Sequence, residues 1–177
     1  MLDDNGGNED PEDWELTATG EAGFTDTGDS STFHTVKAGV EYTLSESAVA
    51  GYEAGLWTCD QDVVVTNSKI TLGLDQDVTC TIVNDDIAPT ITLIKVLDEH
   101  YGATQTIGEF NLTVGGNVVS SGDENPVLAN TPYALNEADV SGWEFVSLTG
   151  EGCPANLGET VTLNEGEHIT CTITNKD

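Results

Sequence analysis

Arginine is absent from this chain, and lysine occurs only four times against 32 aspartates and glutamates, for a formal net charge of −28. Such a surface repels nucleic acid and anionic lipid, because both need clustered basic side chains. No apolar run is long enough to cross a bilayer as a helix, and no signal-peptide pattern is present. Sustained helical periodicity is also lacking, which excludes a helix bundle. There is no Cys-x-x-Cys pair of the kind that holds zinc. His34, His100 and His168 are scattered, and neither a Ser-His-Asp nor a paired-carboxylate arrangement can be assembled, so enzymatic turnover is not indicated.

What the chain does have is one signature written twice. Tyr42-Thr-Leu-Ser-Glu46, Gly51-Tyr52, Cys59 and Cys80-Thr-Ile-Val-Asn84 return as Tyr133-Ala-Leu-Asn-Glu137, Gly142-Trp143, Cys153 and Cys171-Thr-Ile-Thr-Asn175. Tyr, Glu, Gly, the second Cys and Asn recur at an offset of 91 residues. A repeat of that size is one small domain, so the chain reads as part of an array. The division expected is 1–86 and 87–177, joined by the short linker Asn84-Asp-Asp-Ile-Ala-Pro-Thr90, which Pro89 stiffens. Domains this small need covalent staples. Two cysteines per copy supply them as Cys59–Cys80 and Cys153–Cys171, which points to an oxidising, extracellular setting. The chain reads as a segment of a longer exported polypeptide.

Alternating apolar and polar residues, abundant Thr and Val, and regular turn signals predict an all-β fold of two tandem sandwiches. Predicted strands include Ile91–Val96, Phe110–Val114, Thr160–Leu163 and His168–Thr174. Aligning the copies sets Met1-Leu2-Asp3-Asp4 against Val96-Leu97-Asp98-Glu99. Copy one therefore lacks its first strand and the counterpart of Lys95.

Side chains two apart on a strand share a face. In copy two, three inward rows each end in a polar residue: Ile91/Leu93/Lys95, Tyr133/Leu135/Glu137 and Ile169/Cys171/Ile173/Asn175. Copy one repeats two of them, Tyr42/Leu44/Glu46 and Val78/Cys80/Ile82/Asn84. A polar tip that reaches water at the end of a strand explains any single row. Three rows ending in mutually reactive groups suggest chemistry instead. Burial favours the neutral form of both an amine and a carboxylic acid. A neutral lysine beside a carboxyl and a carboxamide is a nucleophile beside its acid and its electrophile. The expected product is an amide between Lys95 and Asn175, with loss of ammonia.

This set of residues resembles the prealbumin-like (CnaB-type, SpaA-like) repeats of bacterial surface proteins, over both copies almost completely. The resemblance implies a transthyretin-like sandwich used as a stalk in adhesins and pili. It also implies a spontaneous isopeptide bond, with Lys95 as nucleophile, Asn175 as electrophile and Glu137 as catalytic acid. Copy one keeps Glu46 and Asn84 without a matching lysine: Lys37 sits in a turn, and Lys69 is out of phase with Ile70, Leu72 and Leu74. Either its partner strand was cut away, the simpler reading, or another molecule supplies it by strand addition.

The expected function is a structural stalk module of a secreted or cell-surface fibre, with neighbouring repeats of the same polypeptide or fibre as partners. The alternative is an adhesive module that grips a host, glycan or ice surface through its loops. Calcium is the one cofactor the sequence leaves open. Asp3–Asp10 has the composition of a calcium loop without its spacing, whereas Asp60, Asp62, Asp75 and Asp77 flank one hairpin and are the candidate ligands. Asn111-Leu-Thr113 matches a glycosylation acceptor, a pattern too short to carry weight.

Overall fold

A computed structural model describes residues 1–102 and 104–177. They form two compact units, Met1–Asp4 with Asn8–Asp86, and Asn5–Gly7 with Ile87–Asp177. Both are built of strands, as the alternation predicts; the helical content is two short 3-10 turns. No helix among the described residues is long and apolar enough to span a membrane.

Unit one contains β1 (Glu15–Thr19), β2 (Phe24–Thr27), β3 (Glu41–Glu46), β4 (Tyr52–Ala54), β5 (Thr58–Cys59), β6 (Lys69–Thr71), β7 (Cys80–Thr81) and β8 (Asn84–Asp86). One four-stranded sheet runs β2-β1-β3-β6, while β4-β8 and β5-β7 remain as separate pairs. Unit two contains β9 (Thr90–Asp98), β10 (Thr113–Val114), β11 (Asn117–Val118), β12 (Glu124–Pro126), β13 (Pro132–Asn136), β14 (Glu144–Thr149), β15 (Thr160–Thr162) and β16 (His168–Lys176). Its two four-stranded sheets run β11-β10-β13-β15 and β12-β9-β16-β14. The first strand β9 lies parallel to the last, β16, with Ile173 opposite Lys95 and Asn175 opposite Leu97.

The inward rows meet in a dry core in unit two. Ile91, Leu93, Leu135, Cys171 and Ile173 are all at 0% exposure. One expected strand is different: Ile107–Phe110 is a 3-10 turn, Asn111 is left-handed (φ 40°), and β10 starts only at Thr113. A short polar residue tolerates that conformation, and the reversal tucks Phe110 into the core. In unit one the equivalent core is less well covered, with Leu44 at 8%, Ile70 at 8% and Leu72 at 9%. Val78 and Ile82, expected inward beside Asn84, are only half-buried.

The recurrent tyrosines have a structural role in both units. Tyr42 Oη accepts a hydrogen bond from Lys37 N (2.9 Å) and Tyr133 Oη one from Leu128 N (3.1 Å), each pinning the turn five residues upstream. Both disulfides are present, Cys59–Cys80 and Cys153–Cys171. Gly150 makes the second possible. Its φ is +147°, and a Cβ there would lie 2.3 Å from Thr170 O and 2.6 Å from Cys153 Sγ. Gly150→Ala is therefore expected to destabilise unit two by about 1–3 kcal/mol. At about 4–8 °C per kcal/mol this is a readily measured fall in melting temperature.

Candidate functional site

At one end of the unit-two core, β9 delivers Lys95, the residue just past β13 is Glu137, and β16 delivers Asn175. Strand alternation points all three inward, and the parallel β9–β16 register brings the lysine and asparagine tips together. Lys95 Nζ donates to Glu137 Oε2 and to Asn175 Oδ1, each at 2.6 Å. The side chains of Lys95 and Glu137 are 0% and 3% exposed, and Asn175 is 4% exposed. Two strong contacts to a dry amine make this a preorganised site and not a strand end reaching water.

Burial holds the Lys95 amine below the ordinary lysine value of 10.5, while its hydrogen bond and charge contact with Glu137 oppose that shift. The dry surroundings win because removing an ammonium from water costs several kcal/mol, more than one neighbouring carboxylate restores. A lysine with a depressed pKa carries a larger share of neutral amine at a given pH.

Two aromatic residues complete the site: Trp143 of the repeated signature and Phe110 of a predicted strand, neither of which the sequence reading assigned to it. The Phe110 ring lies 4.3 Å from Lys95 Nζ, and Trp143 packs edge-on against Phe110 with centroids 5.6 Å apart. Trp143 Nε1 donates to Gln105 Oε1 (3.2 Å). The available signal was a second recurrence, Phe110-Asn-Leu-Thr against Trp14-Glu-Leu-Thr. In unit one Trp14 meets Tyr52 edge-on at 5.1 Å in the same way.

Unit one also brings Glu46 and Asn84 together, Asn84 Nδ2 donating to Glu46 Oε2 at 3.0 Å. Lys37 and Lys69 are elsewhere: both are exposed and paired with Glu21 and Glu41. Leu2 forms a parallel bridge to Asp85, with Leu2 N donating to Asn84 O and Asp86 N to Leu2 O. That places Leu2 as Asp98 is placed against Lys176, one residue away from the alignment of the two sequences.

Among the described residues, none of the four aspartates proposed for calcium belongs to a group of three or more acids with converging ligand atoms. Asp60, Asp62, Asp75 and Asp77 are exposed, and Asp60 Oδ1 instead accepts Thr79 N at 2.8 Å. Among the described residues, the three-acid group with ligand atoms within 4.8 Å of one another is Asp4, Asp85 and Asp86. It lies outside all four predicted positions.

A family profile described as a prealbumin-like fold domain matches residues 1–82 and again 86–173. No curated protein sequence matches the chain. Among solved structures, the chain is similar to the major pilin of Streptococcus pyogenes, at 13% identity and a TM-score of 0.37 over 93% of this chain and 90% of that one. It is similar too to the T-13 major pilin of the same organism, at 14% identity and a TM-score of 0.34, covering 92% and 88% of the two chains.

Proposed function

The chain belongs to the prealbumin-like fold domain family twice over, and on that premise we propose that it is a load-bearing stalk module of a secreted or cell-surface fibre. Its second unit is sealed by a self-formed amide between Lys95 and Asn175. The observation that carries this reading is the dry contact of Lys95 Nζ with both Glu137 and Asn175 at 2.6 Å.

The reaction balances without a cofactor or oxidant. The neutral Lys95 amine attacks Asn175 Cγ, with Glu137 hydrogen-bonded to the amine and positioned to take its proton and pass it on. The Nζ–Cγ bond forms, the Cγ–Nδ2 bond breaks, and the departing amide nitrogen collects the transferred proton and leaves as ammonia. Phe110 and Trp143 keep water from the amide carbon, which favours aminolysis over hydrolysis. The cycle runs once, so this is self-modification and not turnover.

The topology gives the bond a mechanical purpose. Polypeptide enters unit two at the start of β9 and leaves at the end of β16, so tension applied at the two ends of the unit would otherwise shear two parallel neighbours past each other. A Lys95–Asn175 link routes tension through Thr90–Lys95 and the last residues of β16, and spares the 80-residue loop between them. Neighbouring repeats of the same fibre are the partners this function needs, in an extracellular setting suited to the two disulfides. Tryptic mapping after disulfide reduction tests the proposal: with arginine absent and Lys95 blocked, one peptide spanning residues 70–176 and lighter by one ammonia is expected, and two separate unmodified peptides, 70–95 and 96–176, would refute it.

The site also predicts a pH effect once the bond is prevented. In Asn175→Ala the amine stays buried beside Glu137 and free to titrate. Between its depressed folded pKa and the unfolded value of 10.5, the folded form binds fewer protons than the unfolded form. Stability of this variant should therefore rise with pH across that window, seen as a larger unfolding free energy at about pH 9 than at neutrality.

A further inference from the structure

The two rings that cover the unit-two site are themselves pinned. The Phe110 carbonyl accepts Ala138 N (2.6 Å), which ties the ring over Lys95 Nζ to the residue after Glu137. Trp143 meets Phe110 at an interplanar angle of 86°. Such an edge-on pair depends on the angle between its rings, and a half-buried indole N–H calls for an acceptor. Gln105 supplies it, its Oε1 accepting Trp143 Nε1 at 3.2 Å. Gln105 lies in the segment between β9 and the 3-10 turn. The start of that segment is held by Asp177, whose carboxylate accepts His100 N (2.6 Å) and Tyr101 N (2.8 Å).

Unit one repeats the device with different chemistry. Gln105 is five positions ahead of Phe110, and Glu9 is five positions ahead of Trp14. Trp14 meets Tyr52 at 85°, and Tyr52 Oη accepts Glu9 N at 3.2 Å. In each unit the residue five positions ahead of the inner ring holds the polar atom of the outer ring. A side-chain acceptor serves the indole and a backbone donor serves the phenol, so what the two arrangements share is a fixed ring.

We infer that Gln105 is a positioning residue for amide formation, locking Trp143 against Phe110 so that the two rings keep the Lys95 amine dry. The inference rests on the reading of Lys95 and Asn175 given above and adds what sets the speed of that reaction. Gln105 acts through Trp143 and not on the reacting atoms. A loosened indole admits water around the amine, and a wetter amine holds its proton more firmly. Glu137 is the charged group facing that amine; the other elements packed on it present Asn175 and Phe110, neither of which titrates. Each unit by which the amine pKa rises leaves about one-tenth as much neutral amine at neutral pH.

The test starts from the full chain isolated unreacted from inclusion bodies in denaturant and diluted into oxidising buffers to fold. Ammonia loss is followed by intact mass and folding by circular dichroism. Gln105→Met keeps the shape and removes the acceptor. It should fold as fast as wild type yet lose ammonia about tenfold more slowly at about pH 7, with the deficit closing towards about pH 10. Gln105→Glu, which keeps an acceptor oxygen, should return close to the wild-type rate. In a Trp143→Phe background, which has no indole N–H, Gln105→Met should add no further delay. Gln105→Ala takes the place of Gln105→Met if that variant does not fold. Equal rates at every pH, a delay of the same size across the pH range, or a delay matched by slower folding would each overturn the inference and leave the bond itself intact. A wild-type chain that folds and keeps its ammonia would overturn both.

Discussion

Lys95→Ala is expected to remove most of the stability of unit two and to leave its mass equal to that of the disulfide-bonded sequence. Two effects add. The proposed bond would close an 80-residue loop between the two residues now in contact, and by the chain-entropy relation used for disulfides this would restrict the unfolded state by about 4–5 kcal/mol. The substitution also strands the Glu137 carboxyl and the Asn175 amide in a dry pocket, at about 1–3 kcal/mol for each orphaned group. Small domains hold about 5–15 kcal/mol in total, so the variant lies near its unfolding threshold at room temperature. A second variant separates the causes. In Lys95→Met with Glu137→Leu no buried charge remains, and apolar replacement of a buried pair is often close to neutral. Its loss should approach the loop contribution plus about 1–3 kcal/mol for the one group still stranded, the Asn175 amide. Denaturant melts followed by circular dichroism, with unit two read as its own transition, measure both. Equal stability of wild type and the double variant would show that no covalent loop exists.

The second large effect concerns Cys153–Cys171, which closes a loop with a sequence separation of 18. Cys153→Ala is expected to cost about 3 kcal/mol. Alanine at the half-buried partner is the right probe, since it leaves Cys171, at 0% exposure, to pack as a small apolar residue. The disulfide lies wholly within the Lys95–Asn175 loop, and shortening a long loop by one small loop alters its closure entropy only slightly, because that entropy grows with the logarithm of length. The two losses should therefore add to within about 0.5 kcal/mol in the Lys95→Ala/Cys153→Ala chain. Strong non-additivity would mean the two links act on native geometry, not on the unfolded state.

How much of this was legible in the sequence depends on which force placed each residue. Inward rows such as Ile91/Leu93/Lys95 were readable because strand alternation is a local rule, and the 91-residue repeat showed which rows mattered. Meeting of the three tips depends on parallel pairing of β9 with β16, a long-range register that spacing alone does not reveal. Phe110 was read as the start of a strand and not as part of the site, because it lies in a 3-10 turn where the alternation rule predicts strand. Val78 and Ile82 were expected inward with Asn84, yet they are only half-buried: both lie outside β7, which is confined to Cys80–Thr81, so strand alternation does not extend to them. Asp60, Asp62, Asp75 and Asp77 illustrate the opposite limit: they are neighbours in sequence and exposed, yet none belongs to a converging three-acid group among the described residues, and exposed acids repel one another.

The central claim is that buried Lys95 and Asn175 become one covalent unit without help. Intact mass of the purified chain under non-reducing, denaturing conditions tests it directly. The account predicts the sequence mass less the hydrogens of two disulfides and less one ammonia, with the ammonia restored in Lys95→Ala and in Asn175→Ala. A wild-type mass that retains the ammonia would contradict it.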